Sequence, residues 1–92
     1  MELHGQLETV VDEQSFLVFV RALVVDREAE SGKSADGFAR GVNGWENHSI
    51  EDYLKGALAW AEDSEMGASQ GLAEASPWKR FATFLYCGKI YE

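Results

Sequence analysis

Two histidines and one cysteine are the residues of this chain best suited to nucleophilic or metal chemistry. A Cys–His pair works only when the thiolate is stabilised by its surroundings and a third group orients the base. Cys87 falls three residues after Phe84 and four before Tyr91. That spacing predicts an apolar helix side and a small packed hydrophobe. His48 stands just before a predicted helix start, where the dipole disfavours positive charge, and His4 lies in a weakly patterned N-terminus. A metal site needs ligands clustered at fixed spacing, and the chain has no such cluster. Gly32-Lys33-Ser34 matches the last residues of a phosphate-binding loop, but Arg27 stands where that motif needs its first glycine. Asn47-His48-Ser49 fits the N-glycosylation pattern. Its expected role is local, with Asn47 and Ser49 competing to cap the helix that follows. No catalytic set, cofactor or metal is therefore expected. One enzymatic alternative is kept, His48 working with a carboxylate.

Binding chemistry has better candidates. Trp60 and Trp78 fall on helical stripes and are expected in the core, whereas Trp45 follows a glycine-rich stretch and belongs to no stripe. Trp45 is either a plug that packs its loop onto the next helix or an aromatic anchor in a binding surface. Residues 46–74 carry Glu46, Glu51, Asp52, Glu62, Asp63, Glu65 and Glu74 against Lys55 alone. Residues 75–92 reverse the balance, with Lys79, Arg80 and Lys89 against Glu92. The acidic run is either a solvated helix face or a patch that steers a basic protein. The candidate partner-binding residues are Trp45, Glu46, Glu62, Asp63 and Glu65.

Three helices must position these residues. Asp12 caps the first, predicted over 12–27, in which Phe16, Phe19, Val20 and Leu23 follow the i, i+3, i+4, i+7 template. Leu17 and Val24 widen that stripe, so the helix is expected to be buried on most of its circumference. Ser49 and Asp52 open the second, predicted over 49–65, with Ile50, Tyr53, Leu54, Ala57, Leu58 and Ala61 on one stripe. Ser76-Pro77 opens the third, predicted over 77–91, although Lys79 and Arg80 oppose the positive end of its dipole. Residues 31–44 read as a loop, and a short strand is allowed before Asp12. The fold class is all-α, one domain over residues 1–92.

Composition narrows the function classes further. Sixteen acids against eight bases give a net charge of −8 over 92 residues. Such a chain repels phosphate backbones and anionic lipid, so neither nucleic acid nor membrane is an expected partner. Its longest apolar run, residues 16–25, is broken by Arg21 and is too short to span a bilayer. A lone cysteine points to the reducing cytoplasm.

Trp45-Glu46-Asn47-x-Ser49-Ile50, Tyr53-Leu54, Trp60, Pro77-Trp78, Phe81-Ala82 and the closing Tyr91-Glu92 together form a pattern. The pattern resembles a family of short bacterial proteins of unknown function, over about four-fifths of the chain. The resemblance implies a stand-alone bacterial domain, supplies no activity, and marks Trp45, Asn47, Trp60, Trp78 and Tyr91 as residues that define its fold or surface. Glu46, Asn47, Leu54 and Trp60 also resemble barstar-type nuclease inhibitors, whose parallel sheet has no counterpart in this pattern. The expectation is a non-enzymatic protein-binding module, an immunity-type inhibitor of a basic toxin. The first alternative is a structural or self-associating subunit that uses exposed aromatics of the third helix.

Overall fold

The computed structural model describes residues 2–31 and 44–91. Four α-helices follow in chain order: α1 (Leu3–Glu8), α2 (Glu13–Ser31), α3 (Ile50–Ser64) and α4 (Pro77–Ile90). A 3-10 turn, Ala68–Gln70, lies between α3 and α4, and no strand occurs among the described residues. The all-α expectation and its three main helices hold. The glycine-rich segment 32–43, including the Gly32-Lys33-Ser34 motif, lies outside the described residues.

Each long helix starts where a short polar side chain replaces a missing backbone acceptor. The Ser15 amide donates to Asp12 Oδ1 at 2.9 Å, and Ser15 Oγ accepts from the Asp12 amide at 3.0 Å. The Ser15 hydroxyl also donates to Asp12 Oδ1, at 2.7 Å, and these two donors to the carboxylate, the amide first and the hydroxyl second, hold the Asp12 carboxyl below its ordinary value. Ser49 caps α3 through the Asp52 amide at 3.1 Å, and Ser76 caps α4 through the Lys79 amide at 3.2 Å. Asn47 does not compete for the α3 cap; its side chain is used elsewhere. At its other end α2 runs to Ser31, beyond the predicted stop at residue 27, because Glu28-Ala29-Glu30 contains no breaker.

Before Asp12 the chain forms α1 in place of a short strand. Six residues cannot hold a helix alone. Packing holds this one: Leu7 and Val10 are buried, and Leu3 lies against the same core. Glu8 reaches Lys79 Nζ at 3.5 Å, while Arg80 Nε donates to the Met66 carbonyl at 3.2 Å. The two cations that oppose the α4 dipole thus find partners on other segments.

α4 is the central helix. α3 packs against it, α2 and α1 pack on its other sides, and among the described residues no Cα atom of α2 comes within 8 Å of one in α3. The core joins Leu7, Val10, Phe19, Leu23, Trp45 and Ala82, with Phe16 against Trp78 at 5.4 Å between ring centres. The result is a flattened layer whose shortest dimension is 18 Å against a longest of 42 Å.

This layering corrects two expectations about burial. α2 is not enclosed on most of its circumference: Leu17, Val18, Val24 and Val25 are all exposed, because α4 covers one side and α1 is short. On α3 the buried side is Gly56, Ala57, Trp60 and Ser64, while Ile50, Leu54 and Leu58 of the predicted stripe are exposed. The interface is turned round the helix because α3 and α4 meet at glycines. A Cβ on Gly88 would stand 3.0 Å from the Tyr53 carbonyl, and one on Gly56 would stand 3.4 Å from the Gly88 carbonyl.

A candidate partner-binding face

Trp45 organises one end of the layer. Its ring is 4% exposed, and its Nε1 donates to Asp26 Oδ2 at 2.8 Å. Lys89 Nζ donates to the same oxygen at 2.8 Å, so one carboxylate joins α2, the loop before α3, and α4. The Arg27 guanidinium carbon lies 5.2 Å from the Trp45 ring centre, within cation–π range. Arg27 also donates to the His48 carbonyl at 3.2 Å and approaches His48 Nδ1 at 3.4 Å. A charge-assisted network of this kind is stronger than its neutral equivalent and fixes the loop's entry into α3.

Asn47 closes the same end from the other side. Its Nδ2 donates to the Gly88 carbonyl at 2.8 Å and to the Tyr91 carbonyl at 2.9 Å. Those carbonyls belong to the last turn of α4 and the residue beyond it, which lack continuing helical partners. The Glu46 amide adds a bond to the Lys89 carbonyl at 2.9 Å. The loop from Trp45 to Ser49 is thereby stapled to both α2 and α4.

Beside this hub a cleft of about 440 Å³ opens between α2 and α3, lined by Val20, Val24, Arg27, His48, Ile50, Tyr53 and Leu85 among others. Helical spacing extends it into a broad apolar face. Leu17 precedes Val20 by three residues on α2, Leu54 and Leu58 follow Ile50 at i+4 and i+8 on α3, and Phe81 precedes Leu85 by four on α4. Ile50 is 78% exposed and Phe81 50%, so the walls and the floor are both accessible among the described residues. The opposite side of the layer carries α1.

Acids border this face. Glu51 and Glu62 share the outer stripe of α3 with Leu58, at i, i+11 and i+7, and Glu65 caps the helix just beyond Ser64 in a left-handed conformation. Glu13 precedes Leu17 by one turn on α2. Lys55 lies beyond the acidic stripe of α3, four residues after Glu51, and Arg21 lines hollows on the side of Val18. Arg27 stands at the Trp45 end, engaged as described.

The five residues singled out from sequence part company here. Trp45 lies in the core, which is the plug arrangement rather than a presented anchor. Glu46 is half-buried beside it. Glu62, Asp63 and Glu65 are exposed at the end of α3, but they do not share one edge. Asp63 lies on the far flank and accepts from the Tyr91 hydroxyl at 2.5 Å, Glu62 borders the apolar face, and Glu65 caps the end of the helix. Sequence reasoning missed Asp26, although a carboxylate directly after Val24-Val25 was a signal that it serves a buried donor.

For reactive chemistry the positions are as follows. Cys87 is half-buried, and burial pushes its thiol up to about 11, so it carries its proton at neutral pH. The ring of His48 faces Arg27. No group of three potential metal ligands occurs among the described residues, and no described helix is long and apolar enough to cross a membrane.

A family model for a family of unknown function, DUF7660, matches residues 12–92, and the chain belongs to that family. No curated protein and no solved structure matches it.

Proposed function

We propose that this member of the DUF7660 family is a non-enzymatic protein-binding module whose partner is basic. The observation that carries this reading is the accessible apolar face bordered by Glu13, Glu51 and Glu62. Apolar surface of this continuity on a small soluble protein marks an interaction site, and rim acids steer a basic partner toward it. The protonated Cys87 and the Arg27-facing His48 favour binding over nucleophilic chemistry. An immunity-type inhibitor of a basic toxin, acting in the bacterial cytoplasm, is the specific form this function takes. Net charge of −8 and a single thiol fit that form.

Capture of the partner from native lysate, followed by surface plasmon resonance, tests the reading. The Glu51→Gln/Glu62→Gln/Glu65→Gln variant should associate more slowly at low salt and converge with wild type at high salt. A captured partner that is acidic, or salt-independent association, would remove the basic-partner reading. The same apolar face favours one alternative, a self-associating subunit, and Phe81 supplies the exposed aromatic that it needs. Sedimentation velocity separates the two, because only the alternative gives a concentration-dependent dimer.

A further inference from the structure

The geometry points to a basic amphipathic helix of the partner as the occupant of the face between α2 and α3. This inference rests on the protein-binding reading and specifies its partner. The floor is a ridge, Phe81 and Leu85 at i and i+4 on α4, with α2 and α3 rising on either side, their backbones more than 8 Å apart between Cα atoms. A ridge between two walls is the surface into which another helix packs. Leu17 to Val24 on α2 and Ile50 to Leu58 on α3 each run about 10–12 Å at 1.5 Å per residue, the length over which a helix places anchors at i, i+4 and i+7. A helix also satisfies its own backbone. That matters here because the face offers mainly side chains, and the described residues contain no strand edge to extend.

Charge chooses between a partner and a second copy. Two copies face to face would bring Glu51 and Glu62 of each against an equally acidic molecule of net charge −8. Like charges brought together at an interface oppose association. A helix with Lys or Arg beside its apolar stripe meets the same acids with opposite sign, in the helix-in-groove mode.

The test uses the full chain and a fluorescein-labelled amphipathic peptide with leucines at i, i+4 and i+7 and lysines flanking them. A matched peptide carries glutamates in place of the lysines. Fluorescence anisotropy should show binding of the basic peptide only. Leu54→Ser/Leu58→Ser should weaken it about tenfold or more at every salt concentration, a loss of about 1.4 kcal/mol. Glu51→Gln/Glu62→Gln should weaken it at low salt and match wild type at high salt. Both pairs are exposed, and far-UV circular dichroism melts confirm that each variant folds. Equal binding of the acidic peptide, or unchanged binding by the Leu54→Ser/Leu58→Ser variant, overturns the inference. A dimer in sedimentation velocity that the same leucine variant splits also overturns it, in favour of a second copy. If the peptide fails but a captured basic partner still responds to the glutamate substitutions, the helix inference falls and the protein-binding reading stands. If neither binds, both fall.

Discussion

Replacing Gly56 by alanine should destabilise the protein, against the ordinary preference of a helix interior. Alanine is favoured over glycine there by about 1 kcal/mol. At Gly56, however, a Cβ would stand 2.5 Å from the Tyr91 carbonyl oxygen and 2.7 Å from Asn47 Nδ2. Neither neighbour is loose. The Tyr91 amide donates to the Cys87 carbonyl at 2.7 Å, and Asn47 is bonded to two carbonyls of the α4 terminus. Overpacking of this severity costs about 2 kcal/mol, and displacing Asn47 forfeits two hydrogen bonds at about 1 kcal/mol each. Set against the propensity gain, the net loss is about 3 kcal/mol, a large part of the reserve of a 92-residue chain. Urea denaturation at 25 °C followed by tryptophan fluorescence measures it directly. Thermal melts should fall by about 15 °C. In an Asn47→Ala background one of the two clashes is already gone, so Gly56→Ala should cost only about 1 kcal/mol, a coupling of about 2 kcal/mol. A stabilising Gly56→Ala, or a cycle additive within about 0.5 kcal/mol, would refute the claim that this clasp closes the fold.

Burial pushes the Tyr53 hydroxyl up to about 12 and the Cys87 thiol up to about 11, so the fold prefers both groups neutral. The stability they contribute is complete below their unfolded values, 10.0 and 9.0, and is lost as pH rises through those values toward 12. Urea midpoints should therefore hold between about pH 7 and 9 and then fall, and Tyr53→Phe should flatten the fall above about pH 10. Trp78→Ala should cost about 3 kcal/mol in chemical denaturation, because Trp78 joins Phe16 of α2 to α4; a loss below about 1 kcal/mol would mean the ring is dispensable to that contact. Glu65 adopts a left-handed conformation, φ 53°, at the negative end of α3, so Glu65→Gly should stabilise by about 0.5–1 kcal/mol, and a loss would refute strain at that turn.

Helix starts were legible because caps are local. Asp12, Ser49 and Ser76 each lie within three residues of the amide they satisfy, and each marks its helix in the sequence alone. α1 was not legible, since its six residues are held by packing of Leu3 and Leu7 into a core shared with Ala82, Leu85 and Tyr86, more than seventy positions away. The same distance hid the partner of Lys79, while that of Arg80, the Met66 carbonyl, lies fourteen positions back in the irregular segment after α3. On α3, apolarity favoured Leu54 and Leu58 over Gly56 and Ser64, but contact distance decided otherwise. Only small residues let two helices approach closely, and the indole of Trp60 then fills the space beside them, its Nε1 donating to Gln70 at 2.8 Å.

The site was half legible for a related reason. An indole serves as plug or anchor with equal ease, and what settles Trp45 is a carboxylate nineteen residues earlier, on a helix that reads as apolar. The acids at the end of α3 are exposed, but helical phase divides the two within the helix: Glu62 turns toward Leu58, and Asp63 turns toward Tyr91. Phase also explains why the leucines are exposed at all. A central helix flanked by two others makes a layer with two faces, and α1 supplies cover for one. Leaving Ile50, Leu54, Leu58 and Phe81 in water does nothing for folding and invites self-association. A net charge of −8 opposes that association without hiding the face. Under the proposed function, the same charge that keeps two copies apart draws a basic helix in, so acidity and exposed leucines are two halves of one device.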